Sequence, residues 1–233
     1  MKLRSISRNF PTAFTLILTC TLLPGFSLAS IIGGVEFPQG EISFADSVVS
    51  YTPDASGGPV PSAANSEATN ALGIPEVPGN TSIGACSGDP ADCPFVSLGR
   101  GGSLVLEFVD NALTGSDNSD LDLWIFEVGP DVEDTYVDIS TDGSDWFSVG
   151  KVFGTTSGVD IDNFGFGSSD LFSYIRLTDD YNEGGTSGAS VGADIDAVGA
   201  ISTVPVAVSE PASLLLIGLG FIGLGAATRS RKV

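Results

Sequence analysis

Between residues 45 and 201 the apolar positions come in short runs with a period of two. In Ser103-Leu-Val-Leu-Glu-Phe-Val109 the alternation sets Leu104, Leu106 and Phe108 on one face of an extended chain. Leu121 to Val128 forms a second strong run. Val48 to Tyr51, Tyr136 to Ser140, Trp146 to Val152, Tyr174 to Thr178 and Ala193 to Ile201 complete the set. The Asp-Gly pair inside Thr141-Asp-Gly-Ser-Asp145, flanked by two such runs, predicts a hairpin. Residues 53 to 94 are rich in Pro, Gly, Ser and Asn and predict loop, with one helical turn near Ala63 to Leu72. No helical period appears before residue 212. Seven short strands separated by turn residues predict an all-β fold, a β-sandwich of jelly-roll type spanning 45–201, preceded by an N-terminal segment at 30–44.

The two ends of the chain follow a different pattern. Lys2, Arg4 and Arg8 precede an apolar run from Ala13 to Leu23, followed by Pro24-Gly25 and the small residues of Ser27-Leu-Ala29. A basic start, an apolar run too short to span a bilayer well and a small-residue site are the order of a secretory signal peptide. Residues 1–29 are therefore expected to direct export through the Sec machinery, with signal peptidase cutting between Ala29 and Ser30. An uncleaved N-terminal anchor is the alternative. At the other end, a linker at 202–208 leads to Ser209-Glu210-Pro211, an apolar stretch that predicts a transmembrane helix over 212–228, and the basic cluster Arg229-Ser-Arg-Lys232. Glycines 218, 220, 223 and 225 are tolerated in a helix surrounded by lipid, and the terminal cations favour a cytoplasmic end.

This three-part tail, residues 209–233, closely resembles the PEP-CTERM sorting signal of bacterial exported proteins, with Ser209 where that signal usually has its first proline. The resemblance implies recognition by an exosortase-type membrane protease, a transient membrane anchor, and delivery to the cell surface or extracellular matrix. A permanent single-pass anchor is the alternative.

Composition narrows what the exported region can do. Of nine basic residues, six lie in the two ends, leaving Arg100, Lys151 and Arg176. Of 29 acids only Glu210 lies there, so 28 acids face three bases, a net charge of −25. Such a surface repels phosphate backbones and excludes nucleic acid as a partner. The chain has no histidine, which removes Ser-His-Asp and Cys-His catalysis and His-ligated zinc. Cys86 and Cys93, in an oxidising compartment and too widely spaced for a Cys-x-x-Cys redox pair, predict a disulfide.

The acids cluster along the chain. Asp117, Asp120 and Asp122 lead into the second strong strand and Glu127 closes it. Asp179, Asp180 and Glu183 follow the penultimate strand, and Asp194 and Asp196 sit two apart in the last. Residues two apart in a strand share a face, so Asp120 pairs with Asp122 and Asp194 with Asp196. Carboxylates on one face repel unless a cation separates them. Calcium, with six to eight hard oxygen ligands, fits such a group. The expectation is one structural Ca2+ held by some of Asp120, Asp122, Glu127, Asp194 and Asp196, against solvated loop carboxylates as the alternative. Trp124, Trp146, Tyr136, Phe147 and Tyr181 are candidates for a sugar-stacking platform, with burial in the core as the competing role.

The order Ser103-Leu-Val-Leu-Glu-Phe, Asp120-Leu-Asp-Leu-Trp-Ile-Phe-Glu127, Val137-Asp-Ile-Ser-Thr-Asp-Gly-Ser-Asp-Trp146, Ile175-Arg-Leu-Thr-Asp179 and Gly192-Ala-Asp-Ile-Asp-Ala-Val198 resembles bacterial cell-surface domains of the discoidin-like, galactose-binding-like kind. That resemblance implies a β-sandwich binding module, often with a structural calcium. Together these features predict a non-catalytic exported protein that binds carbohydrate or extracellular polysaccharide. A purely structural matrix protein and a glycan-active hydrolase are the alternatives.

Overall fold

The structure, a computed structural model, describes residues 29–129, 133–184 and 187–205. The signal peptide expected over 1–29, apart from Ala29 itself, and the tail beyond residue 205, with its helix expected at 212–228, lie outside the described residues. Among the described residues no helix is long and apolar enough to cross a membrane.

In chain order the strands are β1 (Ser30–Ile32), β2 (Val35–Phe37), β3 (Ser47–Thr52), β4 (Val96–Ser97), β5 (Ser103–Glu107), β6 (Asn111–Leu113) and β7 (Leu123–Glu127). They continue with β8 (Thr135–Ser140), β9 (Phe147–Val152), β10 (Thr156–Val159), β11 (Tyr174–Asp179), β12 (Asp194–Ala200) and β13 (Thr203–Pro205). Two antiparallel sheets dominate, one ordered β3-β5-β11-β8-β9 and the other β10-β7-β12-β4. The two-stranded ribbons β1-β2 and β13-β6 complete the described strands. All seven predicted strands are present. The short β4, β6, β10 and β13 carry too few residues to show a period.

The core lies between the two sheets because each supplies an apolar face. From the five-stranded sheet come Leu104, Leu106, Val137, Ile139, Ile175 and Leu177, at alternate positions of β5, β8 and β11, and all are fully buried. From the four-stranded sheet come Leu123, Ile125, Ile195 and Val198. The Asp142-Gly143 turn joins β8 to β9 as predicted: Gly143 adopts φ +74°, and Asp142 Oδ1 accepts the Ser144 and Asp145 amides at 2.8 and 3.0 Å. The helical segment expected at 63–72 is two 3-10 turns, Ala63–Asn65 and Ala68–Ala71. Cys86 and Cys93 form a disulfide, Cα–Cα 5.7 Å, that ties the 3-10 turn Pro90–Asp92 to the loop before it.

Strand β7 reads Leu-Trp-Ile-Phe-Glu rather than alternating, because both of its faces are covered. Leu123 and Ile125 enter the main core. Phe126 turns the other way, into a second cluster with Phe37, Phe44 and Ala197, against which Trp124, Ile32 and Val35 pack. The rings of Phe37 and Phe44 lie 4.6 Å apart, and each is about as far from Phe126 as the other, at 6.2 and 6.1 Å. Gly199 of β12 makes room for them, since a Cβ there would stand 2.7 Å from Phe37 and 2.9 Å from Phe44. Among the described residues the strands begin at Ser30, and the segment at 30–44 covers the back of the four-stranded sheet.

Truncating Phe37 opens a cavity against Phe126. Phe37→Ala is expected to cost about 3–5 kcal/mol, read as a lower urea midpoint at unchanged m value. A wild-type midpoint would mean that the β1-β2 ribbon contributes nothing to the core.

Candidate functional site

The carboxylates expected to share one calcium are divided by the fold. Asp122 immediately precedes β7 and Glu127 ends it, so five residues of extended chain, about 16 Å, separate them. One ion cannot hold both. Asp120 stands exposed in the loop before the strand, its amide bonded to Asn118 Oδ1 at 2.6 Å, while Asp122 is buried. The pairing of Asp194 with Asp196 also fails, because a bulge falls between Ile195 and Ala197 and breaks the period of two. Asp194 accepts the Ser97 hydroxyl, whereas both oxygens of Asp196 accept backbone amides, Glu76 at 2.9 Å and Val77 at 3.0 Å.

Three acidic groups result, each with its own balance of charge. In the first, Asp134, Asp180 and Glu183 converge and already hold a cation. Lys151 Nζ is ion-paired with Asp134 and lies 3.1 Å from Asp180 and 3.5 Å from Glu183. The hydrogen bonds that the ammonium donates to Asp134 and Asp180 hold it above its ordinary pKa, and the Asn182 amide, followed by Lys151, holds Asp180 below its own.

The second group occupies one end of the sandwich interior. Glu127 is 1% exposed, its Oε1 accepts the Glu133 amide at 3.2 Å, and its buried Oε2 has no hydrogen-bond partner. Burial, then the nearby charge of Glu133, pushes its pKa up to about 10. Asp194 is pushed up to about 7, mainly by burial, against the lowering effect of the Ser97 hydroxyl. Asp179 is raised by burial too, although its oxygens accept the Ala193 and Gly101 amides, each at 2.8 Å. Asp196, at its separate position, is pushed up to about 6 by burial.

The third group is Asp122 with Asp160 and Asp162, which each offer a carboxylate oxygen within 4.8 Å of the others. Asp160 and Asp162 come from the segment after β10, between predicted strands, where no periodicity marked them. The only local signal is Asp160-Ile-Asp-Asn163 ahead of Gly165, a capped turn.

The aromatic candidates separate as well. Trp124 packs in the phenylalanine cluster. Phe147 sits edge-on to Phe166 at 5.3 Å with one side exposed. The other three carry cations. Arg176 on β11 lies opposite Asp138 on β8; its Nε and Nη2 both donate to Asp138 Oδ2, at 3.0 and 2.9 Å, and its guanidinium lies 4.4 Å from the Trp146 ring centre. Tyr136 of β8 is 42% exposed, donates its hydroxyl to Asp180 at 3.1 Å, and has Lys151 Nζ 5.6 Å from its ring centre. Arg100 covers Tyr181 at 4.1 Å while donating Nε to the Tyr181 carbonyl at 2.9 Å. All three bases of the described residues therefore stack on aromatic rings. Tyr136 and Arg176 point outward from the five-stranded sheet, on the face opposite Val137 and Ile175.

The raised carboxylates make stability depend on pH in a definite direction. Glu127 stays protonated in the folded chain but ionises in the unfolded chain above about pH 4.5, so its contribution is full at low pH and is lost as pH rises toward 10. Asp194 and Asp196 act the same way up to about 7 and 6. In metal-free buffer the melting temperature is expected to fall between pH 5 and pH 7. Each such carboxylate sets a limiting slope of about 1.4 kcal/mol per pH unit, roughly 3–5 °C. Glu127→Gln, which mimics the protonated side chain, is expected to flatten the profile and raise the melting temperature at pH 8. An unchanged slope in that variant would place the titration elsewhere.

No curated protein matches the chain. Residues 207–232 match the PEP-CTERM protein-sorting motif. The match stops short of the sandwich, and the discoidin-like resemblance of the middle region gains no support from it. The motif implies an exported protein, held transiently at the membrane by its C-terminus and sorted by an exosortase.

Proposed function

We propose that the sandwich is a non-catalytic module that binds carbohydrate of the extracellular polysaccharide class through the outer face of the five-stranded sheet, and that the sorting signal delivers it to the cell surface or matrix. The observation that carries this reading is the placement of the bases. Between residues 30 and 208 the chain has 28 acids and only three cations, and each of the three is stacked on a ring and bonded to an oxygen acceptor. Such pairing holds Trp146, Tyr136 and Tyr181 in fixed orientations at the surface. An ordered ring offers an apolar face to the C–H side of a sugar, and the adjoining Asp138, Asp180 and Arg176 offer acceptors and donors for its hydroxyls.

The same face argues against catalysis. A hydrolase needs one carboxyl kept protonated beside a second that is ionised, within reach of substrate. Asp180, on this face, is held below its ordinary pKa, and the protonated Glu127 is sealed inside the sandwich.

The exported chain is expected to bind one class of neutral polysaccharide saturably on a glycan array. Tyr136→Ala and Trp146→Ala are each expected to weaken that binding about tenfold or more, corresponding to about 1.4 kcal/mol or more, with Phe164→Ala as the exposed aromatic control. Absence of saturable binding, or binding that both variants leave intact, would remove the carbohydrate reading and leave a structural matrix protein. Release of reducing ends from a bound polysaccharide would overturn the non-catalytic part.

A further inference from the structure

Asp122 is fully buried where three elements meet. Its amide donates to the Val159 carbonyl at the end of β10, at 2.9 Å. Its carbonyl accepts the Ile201 amide beyond β12, at 2.7 Å, and its Oδ2 accepts the Ile161 amide at 2.9 Å. The other carboxylate oxygen, Oδ1, is buried and accepts no hydrogen bond of ordinary geometry; the Ser202 and Ser116 hydroxyls lie close enough to the carboxylate to offset part of the rise that burial imposes on its pKa. A buried, orphaned carboxylate oxygen costs more free energy than almost any other defect of packing.

Around it the structure brings further negative charge. Asp160 and Asp162 each place an oxygen within 4.8 Å of Asp122 and of each other. Among the described residues no Lys or Arg pairs with any of the three, in contrast to the group around Lys151. Their orientation is fixed from behind. Asp162 Oδ2 accepts the Ser116 amide at 2.8 Å and Oδ1 the Asp117 amide at 3.1 Å. Asp160 Oδ1 accepts the Asp162 amide at 3.0 Å and Oδ2 the Asn163 side chain at 2.9 Å. Asp162 Oδ2 also accepts the Ser116 hydroxyl at 3.2 Å, while Asp162 Oδ1 and both Asp160 oxygens each keep a lone pair for a further partner.

We propose that Asp122, Asp160 and Asp162 bind one Ca2+, which clamps the loop before β7 to the 3-10 turn Ile161–Phe164 after β10. Oxygens bound to one calcium at about 2.4 Å can be no more than about 4.8 Å apart, and these three meet that limit. The donors are hard oxygens throughout; with no histidine in the chain and Cys86 and Cys93 bonded to each other, the set suits calcium better than zinc. A divalent ion would give the buried Asp122 carboxylate a partner beyond the Ile161 amide and reduce three like charges to a net of one. The site differs from the expected one: of the five acids singled out in the sequence it retains Asp122 alone.

The test is a melting curve of the exported chain, stripped with EDTA and titrated with CaCl2, alongside calorimetry of Ca2+ binding. Wild type is expected to melt roughly 5–10 °C higher at one hundred times the Kd, with one ion bound per chain. Asp162→Asn, which keeps the acceptor for Ser116, is expected to lose at least tenfold in Ca2+ affinity while still melting cooperatively without calcium; Asp122→Asn is expected to do the same. Glu127→Gln is expected to retain the full response. The proposal is overturned by an unresponsive wild type, by an undiminished response in Asp162→Asn, by a response lost in Glu127→Gln alone, or by an equal rise with MgCl2, which would indicate general screening of an acidic chain.

Discussion

The fold depends on covering both faces of β7. This strand lies inside the four-stranded sheet, between β10 and β12. Leu123 and Ile125 face the five-stranded sheet, and Phe126 faces the phenylalanine cluster supplied by residues 37 and 44. With water excluded from both sides, the carboxylates flanking the strand, Asp122 and Glu127, are buried by construction rather than by any preference of their own. Each retains one oxygen without a hydrogen bond. The cost of burying charge therefore falls at the two ends of one strand.

A chain so rich in acids has to neutralise those it cannot leave in solvent, and it uses several means. Lys151 answers Asp134, Asp180 and Glu183 at a half-exposed edge, where the pair energies are screened and modest. Backbone amides answer Asp179 and Asp196. A proton answers Glu127, whose environment holds it neutral through the physiological range. Among the described residues no base pairs with Asp122, and a backbone amide satisfies only one of its oxygens. The same scarcity of bases explains the outer face of the five-stranded sheet, where Arg176 and Lys151 lie against rings and carboxylates together.

Much of the architecture was legible in the sequence because it is set locally. A period of two marks strands such as β5, β8 and β11, short apolar runs mark β7 and β12, and an Asp-Gly pair between two strands marks the hairpin. The disulfide needed only two cysteines seven positions apart in an oxidising compartment. Less legible were strands of two to four residues such as β4 and β10, and the segment at 30–44, whose Phe37 and Phe44 show no period and gain meaning only against Phe126.

The site was legible only in part. Alternation correctly marked the run of acids, but it assumes an unbroken strand. The bulge at Asp196 separates it from Asp194, and the loop geometry separates exposed Asp120 from buried Asp122. Asp160 and Asp162 reach Asp122 across 38 and 40 positions of chain, through the antiparallel pairing of β10 with β7. The sequence by itself determined the strands, the acidic balance and the sorting tail, all of which are properties of neighbouring residues. Only the tertiary structure decided which carboxylates meet and which go without a partner, because that depends on register and burial, and neither is written in any one segment.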